Sequence, residues 1–426
     1  MPDSTPSLAD WLARSKADYL RAVDNGQGGE WTIVMGNEAG DLDSIASSIA
    51  FAWFLNTVRG TSAVPMIQTS CADLKLRPEN IYALSLAEID PSGHTLLCMD
   101  DIPSSSPFPS SNFALVDHNR LLSRFSENNS SARVVAVVDH HDDEGLYKDT
   151  ADPRLIAVPT GSCASLVSQL LARSCADAIP AELATLLLCG ILIDTQGLKK
   201  GGKAEPTDRD AAGFLLPRST LGRSLQVTHT EPNDVPAVKE LTDSLQQKKS
   251  AVSDLGARDL LRRDYKEYSW KPSWTSNSSA LPVGLATVPL GLAEWAHRAD
   301  FWPAIESWMD ERDLAALGIL TSYHDTKNKK HTANGHTKGK GKHKREVMFV
   351  LREDGHGQLP RAMWAGLEGS EALQLKERKW EKIGTAPNLG AKACARVWKQ
   401  RNTDATRKQI APLVKTIIEG TGVSRM

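Results

Sequence analysis

The chain has 426 residues, 41% hydrophobic, 24% charged and 6% aromatic, with 30 Gly and 22 Pro. That is the composition of an ordinary globular protein of about two or three domains, which excludes a fibre, a disordered chain and a single small domain. Fifty Lys and Arg against 52 Asp and Glu leave a formal net charge of −2, so the surface as a whole is not built to grip nucleic acid and any polyanion site is local.

Through the first half, short apolar runs rich in β-branched residues alternate with amphipathic stretches: WTIVMG at 31–36, AVPMI at 63–67, TLLCMD at 95–100, FALVDH at 113–118 and VVAVVDH at 134–140. This alternation predicts a parallel α/β sheet. Helices are expected from Ser44 to Leu55, capped by Ser44 or Asp43, from Ser162 to Arg173, and from Ala181 to Ile193, the last apolar nearly all round and therefore buried. The chain turns polar and punctuated after Gly202, and VTHTEPNDVPAV at 227–238 reads as a linker.

The second half opens on an expected helical segment at 239–268, followed by strand-like pieces at 281–290, 316–323 and 346–351, and reads as a second, smaller α/β domain. Between the last two pieces lies TKNKKHTANGHTKGKGKHKR (326–345), with eight Lys and Arg, three His and no acid. It is expected to be a solvated loop insertion; a role in attracting long polyanions is the other reading. The expected division is 1–226, a linker at 227–239, and 240–426.

Six Cys (71, 98, 163, 175, 189 and 394) show neither disulfide-scaffold nor zinc spacing, so reduced, mostly buried thiols are expected. The first twenty residues lack a signal-peptide pattern and no run reaches the roughly 18 apolar residues of a membrane span. A cytoplasmic protein without membrane contact is expected, and a monomer.

The chemistry gathers at the ends of the strand-like runs. WTIVMG leads into NEAGDLDS with Asp41 and Asp43, FALV into Asp117-His118-Asn119, VVAVV into Asp139-His140-His141, and LLLCGILI into Asp194. Sites in open parallel sheets lie beyond the carboxyl ends of the strands, so these groups are expected to converge. Four carboxylates a few ångströms apart cannot all stay ionised without counter-charge, and the motifs contain no Lys or Arg. Divalent cations would neutralise them and use His140 as a nitrogen ligand, and two metals held by a bridging carboxylate suit in-line attack on phosphorus. Singly, a DxD before a helix reads as a cap and a strand-terminal Asp as a turn former; their ordered joint occurrence points to metal.

GNEAGDLDSIAS, LVDHN, VVDHHDDEG and LIDT, in that order, resemble the four motifs of the DHH phosphoesterase superfamily. A following domain that ends in TRKQIAPLV is similar to that of the subgroup with family II inorganic pyrophosphatases, fungal exopolyphosphatases and animal prune proteins, the DHHA2 type. The resemblance implies a catalytic DHH domain, a substrate-binding second domain and an active site in the cleft between them. It implies that Asp41 binds one metal, that Asp43, His140 and Asp194 bind the other, and that Asp117 bridges both. His141 would lie against the substrate phosphate, with water as the attacking group, His118 orienting Asp117, and Asp139 orienting the histidines. Mg²⁺ or Mn²⁺ are the expected ions, with Co²⁺ or Zn²⁺ admissible.

One departure bears on substrate. Where family II pyrophosphatases have a His four positions before the first Asp of the DxD, this chain has Asn37, as the exopolyphosphatases of the group do. An amide is a weaker, harder ligand than imidazole, so the first metal is expected to be looser and to tolerate Mg²⁺. In the second domain, Arg407 and Lys408 match the family's basic motif for terminal phosphates, Lys266 matches another phosphate-binding Lys more loosely, and Lys199, Lys200 and Lys203 follow the last metal motif. The implied activity is release of orthophosphate from the ends of inorganic polyphosphate or a similar small phosphate polyanion. A pyrophosphatase and a cyclic-nucleotide or short-oligonucleotide phosphodiesterase stay open, and a non-catalytic polyanion-binding scaffold comes last. Nucleic acid is not the expected partner, because no aromatic stacking platform lies near the motifs.

Overall fold

A computed structural model describes residues 6–92, 94–103, 106–222, 231–274, 279–325, 341–352, 357–390 and 393–420. The chain divides into two compact units, Met1–Ala251 and Val252–Met426. Among the described residues no helix is long and apolar enough to cross a membrane.

The first unit runs α1 (Leu8–Asp24), β1 (Thr32–Met35), α2 (Leu42–Thr57), β2 (Ala63–Ile67), α3 (Pro78–Leu86), β3 (Leu97–Cys98), β4 (Asn112–Val116), α4 (Ser123–Ser126), β5 (Arg133–Asp139), β6 (Arg154–Ile156), α5 (Cys163–Cys175), α6 (Ala181–Asp194), α7 (Pro206–Leu215) and α8 (Pro236–Ser250). Its strands form a six-stranded, all-parallel sheet in the order β3-β2-β1-β4-β5-β6. The strands read as continuous apolar runs because both faces are covered. Ile33, Phe113 and Val137 pack with Tyr19 of α1 and with Phe108 and Phe125, whereas Val34, Ala114 and Val138 pack on the other face against α2, α5 and α6. Strand order reverses between β1 and β4, so the crevice of this fold opens beyond their carboxyl ends.

The helix after β1 can start so close to the strand because Gly36 has no side chain: a Cβ there would meet Ser44 Cβ at 2.4 Å. Gly190 of α6 likewise lets three helices approach, with Ala164 of α5 and Ala46 of α2 at 3.3 and 3.4 Å from where its Cβ would stand. α1, which no sequence pattern above announced, is capped by Ser7, whose hydroxyl accepts from the Asp10 N–H at 3.1 Å.

The second unit runs α9 (Ala257–Arg263), β7 (Tyr265–Trp270), β8 (Leu281–Val288), α10 (Leu292–Trp295), α11 (Phe301–Glu311), β9 (Ala316–Thr321), β10 (Tyr323–Asp325), β11 (Lys342–Arg352), α12 (Gln358–Glu368), β12 (Leu375–Glu377), β13 (Ala393–Gln400) and α13 (Arg407–Glu419). The mixed sheet has the order β12-β13-β11-β9-β8-β7, with β10 paired to β11. One face carries α9, α10 and α11 over Ala286, Ile319, Met348 and Val397. The other carries α12 and α13 over Leu285, Val347, Phe349 and Trp398.

Four sequence expectations change here. The segment 239–268 is not one helix: α8 ends at Ser250, α9 starts after Gly256, and YKEYSW pairs with β8 as a strand, where its aromatic residues suit a pleated surface. Of the expected linker at 227–239, residues 227–230 lie outside the described residues, Pro232–Asp234 is a 3-10 turn, and α8 follows at once, burying Val238, Leu241 and Leu245 in the core of the first unit. Of the basic stretch 326–345, residues 326–340 lie outside the described residues, while Lys342 to Arg345 are strand, with Lys344 opposite Tyr323. The cysteines are not all reduced: Cys71, in the 3-10 turn after β2, and Cys98, in β3, lie at a Cα separation of 5.5 Å, within bridging range, and they form a disulfide. Cys163, Cys175, Cys189 and Cys394 are not disulfide-bonded.

Candidate metal centre

Four of the acidic motifs meet at the reversal point of the first sheet. Asp41 caps α2, its carboxylate accepting the Ser44 N–H at 3.0 Å. Asp43 points the other way, into the N-terminus of α5, where it accepts from the Ser162 hydroxyl at 2.8 Å and from the Cys163 and Ala164 N–H groups at 2.7 and 2.8 Å. Both are capping carboxylates, as a DxD taken alone suggests, yet each caps a different helix and both helix ends face one place. Unsatisfied helix N–H groups and the macrodipole favour the anionic form there.

Asp117 follows β4 with φ +60°, in the left-handed region that few residues other than Gly adopt. Its N–H donates to the Val138 carbonyl at 3.0 Å. Its Oδ2 accepts from the Asn37 amide and the Ser44 hydroxyl, both at 2.6 Å. Oδ1 is left facing His140 Nε2 at 3.2 Å and His141 Nδ1 at 3.7 Å. His140 Nδ1 lies 3.0 Å from the Thr160 carbonyl. A carbonyl only accepts, so Nδ1 carries the hydrogen and neutral His140 presents a lone pair at Nε2. Two lone pairs at 3.2 Å repel, so a proton or a cation belongs between Nε2 and Asp117 Oδ1.

The donor set fits a cation. Ligand atoms of Asp43, His140 and Asp194 lie within 4.8 Å of one another, and so do those of Asp117, His140 and His141. A histidine that gives one ring N–H to a backbone carbonyl and presents the other nitrogen to carboxylates has the arrangement found around bound metals. Asp139 orients the pair further. Its Oδ1 accepts from the backbone N–H of His140 at 2.8 Å and of His141 at 3.2 Å, and from His141 Nδ1 at 2.7 Å. Its Oδ2 accepts from Asn119 at 2.5 Å.

Without a cation the electrostatics are unbalanced. Burial, then the charges of Asp117 and Asp194, push the Asp41 carboxyl up, and the same causes push Asp43 well above the ordinary carboxylate range. Burial also acts against Asp117, but the His140 hydrogen bond, the charges of both histidines and the Ser44 hydroxyl outweigh it and hold its carboxyl low. At Asp194 burial is outweighed by the charges of Lys203 and Lys249, and Lys203 Nζ lies 3.3 Å from its Oδ2. The site thus draws some positive charge from Lys residues outside the motifs, but Asp41 and Asp43 remain under-compensated.

Of the residues read from sequence, Asp43, Asp117, His140, His141 and Asp194 come together, and Asp41 stands at the α2 cap, its charge acting with those of Asp117 and Asp194. Asn37 is buried beside them. Its amide NH₂ donates to Asp117 and its carbonyl accepts from the Ala39 N–H at 2.9 Å, so both ends are engaged in holding the loop and the carboxylate. His118 Nδ1 meets the Val116 carbonyl at 2.9 Å, while the Asp117 carboxylate takes its hydrogen bonds from Asn37 and Ser44. In the second unit, Arg407 donates to the Asp264 carbonyl at 3.1 Å and to its Oδ1 at 2.8 Å, Lys408 is exposed, and Lys266 is half-buried on β7. Sequence reasoning missed Ser44 as an Asp117 partner, Ser162 as an Asp43 partner, and Thr160 and Asn119. The serine at 162 just before an expected helix was a usable signal; the other contacts cross long stretches of chain.

Known families and proteins resemble this chain along most of its length. Residues 31–191 match the DHH family, N-terminal domain, and residues 243–417 match the DHHA2 domain. The chain is 30% identical over 400 residues to a Schizosaccharomyces pombe protein named "Putative exopolyphosphatase", covering 90% of each chain. It is 26% identical over 389 residues to the mouse exopolyphosphatase PRUNE1, covering 90% of this chain and 74% of that one. It is 25% identical over 248 residues to the manganese-dependent inorganic pyrophosphatase of Methanocaldococcus jannaschii, covering 56% of this chain and 67% of that one. A solved structure described as a Methanococcus jannaschii putative family II inorganic pyrophosphatase shares the fold, with a TM-score of 0.55 at 18% identity over 91% of this chain and 100% of that one. With the ordered motifs, the two family matches and the Schizosaccharomyces pombe relative that covers 90% of each chain, the chain belongs to the DHH family, in the branch that carries a DHHA2 domain.

Proposed function

We propose that the protein is an exopolyphosphatase that removes terminal orthophosphate from inorganic polyphosphate. The observation that carries the reading is the pairing of His140 Nε2 with Asp117 Oδ1 at 3.2 Å inside a ring of carboxylates. That ring asks for divalent cations, and the relatives named exopolyphosphatase, each matched over 90% of this chain, support the substrate. Two divalent ions, Mg²⁺ or Mn²⁺, are proposed: Asp41 would hold one, Asp43, His140 and Asp194 would hold the other, and Asp117 would contribute to both. Such ions supply charge neutralisation and an acidified water.

The chain's own residues do the rest. Asn37 and Ser44 fix Asp117, Thr160 fixes the His140 tautomer, and Asp139 fixes the His141 ring. With Nδ1 on Asp139, His141 has Nε2 to offer. As an imidazolium it would donate its Nε2–H to a phosphate oxygen or hand that proton to the leaving oxygen as water bonds to phosphorus and the bridging P–O bond breaks, and the proton lost by the water would restore it. Arg407, Lys408 and Lys266 are the candidate ligands of further phosphates. Pyrophosphate is the second reading, favoured by the likeness to the M. jannaschii pyrophosphatase; Asn37 in place of the pyrophosphatase His argues for polyphosphate.

The test is phosphate release from long-chain polyphosphate, tripolyphosphate, pyrophosphate and a nucleotide diester, each with Mg²⁺ and with Mn²⁺, for the native protein and Asp117→Ala. Turnover of the two polyphosphates is expected to exceed that of the others and to vanish in the variant. Preference for pyrophosphate or the diester, or an Asp117→Ala protein with near-native turnover, overturns the reading.

A further inference from the structure

The second unit holds a strongly cationic cavity that the family motifs do not include. Its volume is about 550 Å³, and among the described residues eight Lys and Arg against two Glu line it. That size is within the range of ordinary small-ligand pockets. The residues come from the ends of β11, β12 and β13 and the turn after β12. Strand alternation sets the face: Met348 and Val397 lie under α9–α11, so Glu346, two residues from Met348, and Lys399, two residues from Val397, project from that same face. Arg407 and Lys408 begin α13, which covers the opposite face. Arg345, two residues from Val347, projects from that second face instead and donates to the Thr403 carbonyl, so the cavity wraps the strand ends; Arg407 and Lys408 are not among its lining residues.

Its charges are arranged at a cost to the fold. Lys376 stands directly opposite Lys399 across β12 and β13, a like-charge pair that destabilises a sheet. Lys399 also faces Glu346 across β11, but that carboxylate, only 2% exposed, is taken by Arg378 and by the Leu292 N–H at 2.7 Å. The buried Glu346 thus spends its charge on fixing the Arg378 guanidinium, which also donates to the Lys382 carbonyl at 3.1 Å. Lys344 pairs with Asp325, and Arg345 donates to the Thr403 carbonyl at 2.7 Å. Lys376, Lys379, Lys382, Lys399 and Arg401 line the cavity with no side-chain ion pair among the described residues. Unneutralised cations gathered around a concavity break the rule of local consistency in the way that binding sites do.

We infer that this cavity binds the phosphates of a polyphosphate chain remote from the end that is hydrolysed, and so sets a preference for long chains. The inference rests on the proposed exopolyphosphatase reading for its substrate. The lining chemistry favours phosphate without bases: Lys and Arg match phosphoryl oxygens, and among the described residues Tyr323 is the one aromatic side chain lining it, too few to stack a run of nucleobases. A long chain engages the cavity in addition to the hydrolytic centre, and the second contact raises the apparent affinity without changing the chemical step. A chain too short to occupy both gains nothing from it.

The experiment compares the full-length protein with Lys376→Ala/Lys399→Ala, and with Lys376→Arg/Lys399→Arg as the charge-keeping control. KM and kcat are measured on long-chain polyphosphate and on tripolyphosphate, and binding of the long chain is measured calorimetrically on an Asp117→Ala background. Loss of two exposed contacts is expected to raise the long-chain KM by about tenfold. kcat and the tripolyphosphate KM should stay unchanged, and the Arg control should behave as the native protein. Equal KM effects on both substrates, or none on either, overturn the inference. So does a single-stranded oligonucleotide that displaces the long chain as effectively as polyphosphate itself. If the native protein hydrolyses neither substrate, the functional reading fails alone; the calorimetric comparison still decides the cavity, because long-chain binding lost in the Ala variant and kept in the Arg control supports it and undiminished binding rejects it.

Discussion

Asn37 shows how one side chain can look like a ligand in sequence and act as a support in the fold. Read against family II pyrophosphatases it stands where a metal-binding His would be; in space its amide clamps Asp117 Oδ2 at 2.6 Å and its carbonyl accepts from the Ala39 N–H. Asn37→Ala removes one of the two donors to Asp117 Oδ2 and strips a buried N–H of its acceptor. The expected cost is about 1–3 kcal/mol of stability for the orphaned group, together with roughly a 10- to 100-fold loss of Mn²⁺ affinity of the kind that follows removal of a ligand's hydrogen-bond partner. Urea denaturation and a Mn²⁺ titration measure the two effects; stability and affinity both at native values would show that Ser44 alone holds the carboxylate. The aspartates and histidines were legible because their residue types announce chemistry at strand ends. Asn37, Ser44, Thr160 and Ser162 were not legible as supports, because amides, hydroxyls and carbonyls take their roles from neighbours brought in by the fold.

At the scale of elements, the strands and helices of the first unit could be read from their apolar runs because both faces of a parallel sheet are covered, and α2 and α6 could be read for the same reason. The misreadings arose where local propensity and pairing disagree. YKEYSW follows a helix and carries charge, yet its partner strand β8 makes it β7. Cys71 and Cys98 are 27 residues apart with nothing in their spacing to suggest a pair; the pairing of β2 with β3 sets the turn that holds Cys71 beside Cys98. That bridge closes a loop containing α3, and the chain around it is tied again by Asp100, which accepts from the Ser70 hydroxyl and the Cys71 N–H. In the chain-entropy model a loop of this length is worth about 2–4 kcal/mol. Cys71→Ser/Cys98→Ser should lose that much in chemical denaturation, and the native protein treated with dithiothreitol should match the variant. A reduced native protein as stable as the oxidised one would show that the bridge contributes nothing.

Over the whole molecule, the division into two α/β bodies was visible in composition, but its position was not, because α8 has an ordinary amphipathic pattern that does not say which core it joins. The cores settle it. The apolar clusters of the first unit draw on residues from Leu8 to Leu245, those of the second on residues from Val252 to Ile418, and among the described residues none draws on both. Every proposed metal ligand lies in the first unit, between Asp41 and Asp194. A cation that binds only folded protein stabilises the body that holds it by RT ln(1 + [L]/Kd), about 2.7 kcal/mol at a hundredfold excess over Kd. In a body of this size each kcal/mol moves the midpoint by roughly 2–4 °C. Removing divalent ions with a chelator should therefore lower one calorimetric transition by about 5–10 °C and leave the other in place, with Mn²⁺ or Mg²⁺ restoring it. The carboxylates make the effect larger, since Asp41 and Asp43 are then buried without the charge that balances them. A chelated protein whose transitions both stay where they were would mean that no cation is held among these residues, and the hydrolytic reading would lose its footing.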